Sequence, residues 1–527
     1  MLLNAAVLII AIVVAPRLLS FTVLSAPETM TDFPAFYCGA RIAAAGGDPA
    51  RAEPLRTCEH AHGAGGLYRF RELAVPDPLP PYAIALFEPL ARLPYDVAAW
   101  IWKGVLAASF VVAVLALRRL TKLPWMALIA SLAMIDGLVS FSLGQLVPVV
   151  VAALCVCAVA FEERRWGVAA AAGALTMIEP TIGLPACLAL AWSPARRWVA
   201  GFGVVFAGLS LVTMPLATIV RYFSSVLPEH ARSEVANFDQ YSATWLLHAL
   251  GASPTAALAF GTISYFALLV AGLAAAARIR AAGGRPAFTV LLPVAAAMLG
   301  GTFVHVTQIA AALPAALLAC AVLAPHRRLA PIALVGLIAT AVPWLLLGAG
   351  YANAGIAALS VLAVAGALYP SKFRLIAVGA GCALVGTSLL RNALAPDPRA
   401  AQIIERAIHT AASSTLSASA SWTAFSTAQG GALSTAALLA AKAPTWIGLV
   451  IVLCCAWRAS YAGCTSTVGN ASPMTATALT PRRRRRGPNI PGTRQRTAIH
   501  ANVPPTTINA NGSNRSTDDT KTSGAAR

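Results

Sequence analysis

Long apolar stretches alternate with short polar ones from one end of the chain to the other. Apolar runs cover 2–24, 97–117, 124–141, 146–161, 167–178, 180–192, 198–218, 254–277, 286–302, 305–325, 329–349, 351–369, 375–392 and 431–457. About 20 apolar residues let a helix cross the hydrocarbon of a bilayer. The pattern therefore predicts an all-α, polytopic bundle of transmembrane helices. The first run is long and lacks a small-residue cleavage site, which predicts a retained helix and not a removed signal. Basic clusters at 118–122, 162–165, 195–197, 278–285, 326–328 and 371–374 fall at every second junction. Lys and Arg stay on the cytoplasmic side, so the alternation predicts a cytoplasmic N-terminus with all six clusters on that face.

Two runs depart from the pattern. At a rise of about 1.5 Å per residue, 167–178 and 180–192 cannot cross about 30 Å of hydrocarbon. Both are flanked by basic residues, so they predict a hairpin of short helices with its tip at Ile178-Glu179-Pro180. Polar backbone at that depth survives only inside protein or beside a wet cavity. The opposite face then holds a large first extracytoplasmic loop at 25–96, a loop at 219–253 and a Ser/Thr/Ala-rich loop at 393–430. Within the first loop, 33–45 reads as an amphipathic helix lying in the interface. It ends at Gly46-Gly47-Asp48-Pro49; 76–81 reads as a stiff turn and 82–94 as an apolar re-entry. Tyr68, Trp100, Trp102 and Trp125 read as anchors at the membrane–water boundary. After a membrane domain at 1–458, residues 459–527 are polar and carry five consecutive arginines at 482–486, the composition of a disordered, basic cytoplasmic tail.

Composition agrees with this picture: 58% of the 527 residues are hydrophobic and 11% are charged, whereas soluble domains carry about 25% charged residues. The net charge of +19 does not indicate a nucleic-acid partner, because it lies in the short loops and in the tail, which has ten Lys/Arg against two Asp. Of the ten cysteines, Cys155, Cys157, Cys187, Cys320, Cys382, Cys454 and Cys455 lie in or beside apolar runs, where Cys behaves as a small hydrophobe. Cys38 and Cys58 share the first loop, where a disulfide is compatible with an oxidising compartment; the sequence leaves their pairing open. Glu59-His60-Ala61-His62 offers three potential metal ligands but no fourth, and reads as a solvated loop. Neither a metal nor a cofactor is expected.

The stretch Thr31-Asp32-Phe33-Pro34-Ala35-Phe36-Tyr37 stands out as candidate chemistry. It follows the first apolar run and sets a carboxylate against an aromatic cluster. Desolvation lifts a carboxylate's pKa towards the working range of a general base, which makes Asp32 the candidate base. The plainer reading is a helix N-cap. Glu179 and Asp136 are the carboxylates set deepest in apolar sequence, and His305 is an ionisable group within an apolar run.

Four places carry a resemblance. They are Asp32-Phe33-x-x-Phe36-Tyr37 with Gly46-Gly47-Asp48-Pro49; Pro80-Pro81-Tyr82 running into Phe87-Glu88-Pro89-Leu90-x-x-Leu93-Pro94; Gly144-Gln145 with Glu179-Pro180; and Asp239-Gln240-Tyr241-Ser242. In these the chain resembles bacterial multi-spanning glycosyltransferases of GT-C type, specifically glycosyltransferase family 87, the alpha-mannosyltransferase-like group. The resemblance implies a GT-C bundle in the bacterial plasma (inner) membrane, with the site on the periplasmic or extracellular side. It implies transfer of a mannose-like hexose from a polyprenyl-phosphate sugar donor to an envelope glycan or lipid acceptor. Membrane lipid is then a partner and nucleic acid is not. Asp32 would be the catalytic base, and Tyr37, Arg41, Gln145, Glu179, Arg221, Asp239, Gln240 and His305 would bind substrate. The leaving phosphate calls for a cation, for which Arg41, Arg221, His230, Arg232 and His305 are candidates. Family members usually have Lys-Pro where this chain has Glu179-Pro180, and often an acidic residue in the stretch holding His305 and Gln308. The alternatives are a transporter or flippase of a lipid-linked or amphiphilic substrate, and a non-catalytic membrane assembly subunit. Transporters are built from repeats with ionisable groups on midplane helices. Here nine of the twenty acidic residues lie in 28–96 and no repeat is evident.

Overall fold

A computed structural model describes residues 30–64, 66–347, 351–369, 400–412 and 417–468. The runs 2–24 and 375–392 and the tail beyond 468 lie outside the described residues, as does the side chain of Asp136. Among the described residues the fold is helical without β-strands, as expected for an all-α polytopic membrane protein.

The helices follow in order: α1 (Phe33–Ala44), α2 (Ala52–His62), α3 (Pro81–Ala91), α4 (Tyr95–Thr121), α5 (Trp125–Leu132), α6 (Val147–Glu162), α7 (Trp166–Leu175), α8 (Pro180–Ala191), α9 (Arg196–Thr213) and α10 (Leu216–Ser233). After them come α11 (Ala243–Ala249), α12 (Pro254–Ala281), α13 (Phe288–Ala297), α14 (Leu313–Leu323), α15 (Ala330–Ala341), α16 (Tyr351–Leu368), α17 (Ala400–Ala412), α18 (Ala418–Gly431) and α19 (Thr435–Val468). Among the described residues, three segments are long and apolar enough to cross a membrane: α4, α12 and Thr435–Ala459 of α19. A fourth arises if α9 and α10, bent by 113° at their junction, count as one span.

The remaining apolar runs break into shorter helices. Run 124–141 passes from α5 into a π-helical stretch, Ala133–Ser140. Run 286–302 stops being helical after Ala297. Run 305–325 becomes helical only at Gln308, so His305 lies in a non-helical connection and not within a span. The expected hairpin is present as α7, a 3-10 turn at Thr176–Ile178, and α8. Pro180 opens α8 and disfavours helical geometry in the residue before it; Glu179 accordingly sits at φ −114°, ψ 88°. A Cβ on Gly183 would strike the backbone of Met177, so glycine lets the two arms close tightly.

The first loop and the start of α4 differ from their sequence reading in three ways. Ten of the twelve residues of α1 are buried, so α1 is a core helix and not an interfacial one. Phe33 stacks on Trp102 of α4 at 6.0 Å, Phe36 meets Phe87 of α3 at 5.7 Å, and a Cys38–Cys58 disulfide ties α1 to α2. Only Arg41 and Ala44 of α1 remain exposed, too little for an apolar lipid-facing side. Tyr68 and Trp102 are buried and are not boundary anchors. The Tyr68 hydroxyl donates to Thr31 O (2.6 Å) and Trp102 Nε1 donates to Gly144 O (2.8 Å), while Trp100 and Trp125 remain exposed. Finally, Glu59-His60-Ala61-His62 lies within α2 and not in a solvated loop. Glu59 is fully buried and accepts from Val75 N at 3.0 Å.

The loops expected at 219–253 and 393–430 are largely helical, as α10, α11, α17 and α18. On α10, Leu216, Val220, Phe223 and Leu227 are exposed at helical spacing, while Tyr222, His230 and Ser233 turn inward. Such an apolar stripe, set at a steep angle to the apolar α9, has the form of a helix lying in a bilayer's interface.

Candidate functional site

A cavity of about 450 Å³ lies where the start of α1, the turn before α6, the hairpin tip, the end of α10 and the 303–308 connection meet. Phe36, Phe70, Leu79, Leu146, Phe303 and Phe425 supply apolar wall, and Asp32, Gln145, Glu179, Glu234, Asp239, His305 and Gln308 supply the polar part.

Asp32 does not use its side chain to cap α1. Its amide donates to Leu143 O at 2.9 Å, and its carboxylate accepts a hydrogen bond from Gln145 Nε2. Gly144 makes that meeting possible. It turns the chain at φ 76°, and a Cβ there would strike Phe33 and Met30. Glycine takes that conformation without steric cost, which explains Gly144-Gln145 as a unit. Burial raises the pKa of Asp32 to about 6, against the opposing pull of Gln145's hydrogen bond and the charge of His305.

Glu179, at the hairpin tip, accepts from Gln308 Nε2 at 3.0 and 3.3 Å. Gln308 thus stands opposite that carboxylate. Its side-chain oxygen accepts from His305 N at 2.9 Å.

His305 is held by two carboxylates. Its Nδ1 is 3.1 Å from Asp239 Oδ1, and its Nε2 is 3.5 Å from Glu234 Oε2 and 3.0 Å from Gln240 Nε2. Burial alone would lower its pKa, but Asp239 and Glu234, with Asp32 beyond them, outweigh that and set it at about 9. The imidazolium in turn holds Asp239 below the usual carboxylate range, although burial pushes the other way. The backbone fixes this pairing: Gln240 and His305 form an isolated antiparallel bridge, and Tyr241 N donates to Val304 O at 2.6 Å. From α19, buried Lys442 donates to Gln240 O at 2.6 Å with its ammonium 3.0 Å from the Trp245 ring centre.

The structure thus brings together Asp32, Gln145, Glu179, Asp239 and His305, with Gln240 directly behind His305 and His230 in the wall. Three expected substrate residues stand elsewhere. The Tyr37 hydroxyl is committed to Leu93 O at 2.7 Å, Arg41 reaches that hydroxyl at 3.4 Å, and Arg221 pairs with Asp48. None of the three lines the cavity, and neither does Arg232. Of α1, only the first turn meets the cavity, which leaves Tyr37 and Arg41 away from it.

Sequence reasoning missed Glu234, Arg69 and Trp422. Glu234 accepts from Asn237 (2.7 Å), Gln240 (3.0 Å) and the Trp422 indole (2.5 Å). Its spacing to Asn237 and Gln240 was a usable local signal, because one carboxylate can accept from both. Trp422 gave none, since it comes from the far segment α18. Arg69 is exposed at the cavity edge, with its guanidinium 4.6 Å from the Phe70 ring centre. Among the described residues no group of three or more His, Cys, Asp or Glu is placed to hold a metal ion.

Chemically, the cavity offers a carboxylate that titrates near neutrality, further carboxylates that can accept from hydroxyls, cations, and an extensive apolar wall. No curated protein and no solved structure matches the chain. Residues 79–306, which include Gln145, Glu179, Glu234, Asp239 and His305, match the family model of glycosyltransferase family 87, the family its motifs resemble; the match indicates a glycosyltransferase, and the long apolar helices a membrane protein.

Proposed function

We propose that the protein transfers a mannose-like hexose from a polyprenyl-phosphate donor to an envelope glycan or lipid, on the extracytoplasmic side of a bacterial plasma membrane. The observation that carries this reading is the Asp32 carboxylate, raised to about 6, in a mainly apolar cavity beside His305 and Glu179. Ionised Asp32 accepts the proton of the acceptor hydroxyl as its oxygen attacks the anomeric carbon. The bond from that carbon to the phosphate oxygen breaks, and polyprenyl phosphate leaves with the electron pair. A single displacement of this kind inverts the anomeric centre. Arg69 is the arginine placed to meet the departing phosphate, a role that the positions of Arg41 and Arg221 do not favour. Glu179 and Asp239 are placed to accept from sugar hydroxyls, and the apolar wall suits isoprenoid chain.

The test is transfer from a panel of polyprenyl-phosphate sugars by purified protein in vesicles, with Asp32→Asn alongside. We expect one sugar to be transferred and the variant to lose about 10²–10⁴-fold in rate while inserting normally. Full transfer by Asp32→Asn removes Asp32 as the base, and no transfer from any lipid-phosphate sugar removes the donor class.

A further inference from the structure

The far end of the α7–α8 hairpin carries a second concave feature, a cleft of about 710 Å³. Trp166, Trp192, Ser193, Arg196, Arg197 and Arg280 line it, and no carboxylate does. It joins the end of α8, the start of α9 and the end of α12, so its arginines come from separate parts of the chain. Some other basic residues face carboxylates: Arg119 pairs with Glu163, Arg165 approaches the same carboxylate, and Arg285 pairs with Glu162. Among the described residues, Arg196, Arg197 and Arg280 form no such pair.

Three unneutralised guanidinium groups converging on one cleft call for an anion. Arg196 is also the first residue of the 18-residue α9, so an anion there meets the positive end of a helix dipole. The rim adds a second chemistry. Trp192 is 67% exposed and Trp198 45%, as suits aromatic rings at headgroup level. Beyond them Val168 on α7 and Val204 and Val205 on α9 are exposed, giving an apolar flank that a water-soluble anion would leave uncovered.

We propose that this cleft binds the headgroup of an anionic phospholipid, with its acyl chains along the flank of α7 and α9. The site is separate from the cavity. Glu179 and the cleft lie at opposite ends of α8, whose twelve residues span about 18 Å. The proposal does not depend on which sugar or donor the cavity takes.

The experiment uses full-length protein in nanodiscs of phosphatidylcholine with increasing phosphatidylglycerol. Retained lipid is counted by native mass spectrometry, and quenching by brominated phosphatidylglycerol reports occupancy beside Trp192. At roughly fivefold in affinity per arginine, R196Q/R197Q/R280Q should bind phosphatidylglycerol on the order of a hundredfold more weakly. R196K/R197K/R280K should keep most of the affinity, and R327Q/R328Q, in a different basic cluster, should keep all of it. Excess inorganic phosphate should not displace the lipid. Equal affinity in wild type and R196Q/R197Q/R280Q overturns the proposal. So does an equal loss in R327Q/R328Q, which would mark diffuse surface attraction, and so does displacement by inorganic phosphate, which would mark a soluble-anion site. Should the triple glutamine variant fail to insert, R280Q alone decides: a roughly fivefold loss supports the site and unchanged affinity overturns it.

Discussion

If Asp32 takes the acceptor's proton, kcat/KM must follow its ionisation. With a pKa of about 6, the carboxylate is about one-eleventh ionised one pH unit below that value, so the rate there should be roughly tenfold under its plateau. Gln145 allows the assignment to be tested without touching the base. Its amide donates to the ionised carboxylate and therefore holds the pKa down. Removing it in Gln145→Leu raises the pKa and moves the acid limb to higher pH. A hydrogen bond to a charged group is worth about 1.5–3 kcal/mol, and one pH unit corresponds to about 1.36 kcal/mol, so the limb should move by about one to two units. The charge of His305 acts in the same direction as Gln145, so His305→Gln should also move the limb upward. The assay is initial-rate transfer in vesicles at low acceptor concentration across the acid and neutral range. A limb that stays in place in Gln145→Leu, or one that persists in the residual activity of Asp32→Asn, would refute the assignment.

Two further changes test the scaffold. The Cys38–Cys58 bridge joins residues 20 apart in sequence. Cys38→Ser with Cys58→Ser should cost roughly 3 kcal/mol by removing that constraint on the unfolded chain. A lower thermal midpoint in detergent, with insertion retained, is the expected result, and an unchanged midpoint would mean that the packing of α1 alone fixes the loop. Lys442→Met should leave Gln240 O without its side-chain donor, at about 1–3 kcal/mol, and loosen the pairing of Asp239 with His305. We expect kcat to fall more than KM rises; kinetics identical to wild type would show that the backbone bridge suffices.

Much of the architecture could be read locally. The lengths of the apolar runs gave the membrane bundle, and the two short runs with basic flanks gave the hairpin with Glu179 at its tip. The aromatic stretch after the first run pointed to Asp32. Where the reading went wrong, the cause was usually a contact with a distant element. Residues 33–45 look amphipathic alone, but α1 buries ten of its twelve residues, with partners on α2, α3 and α4, and Arg41 and Tyr37 lie away from the cavity. The same applies to Tyr68 and Trp102, whose polar atoms bond to backbone far along the chain.

The sequence by itself determined that this is a helical membrane protein, because bilayer thickness imposes a length on each apolar run that can be counted without its neighbours. Only the tertiary structure decided which side chains converge. Gln145 reaches Asp32 across 113 residues, Trp422 reaches Glu234 across 188, and Lys442 reaches Gln240 across 202. A polar residue's partner is set by how helices pack in three dimensions, and at such separations packing leaves no periodic trace in the chain.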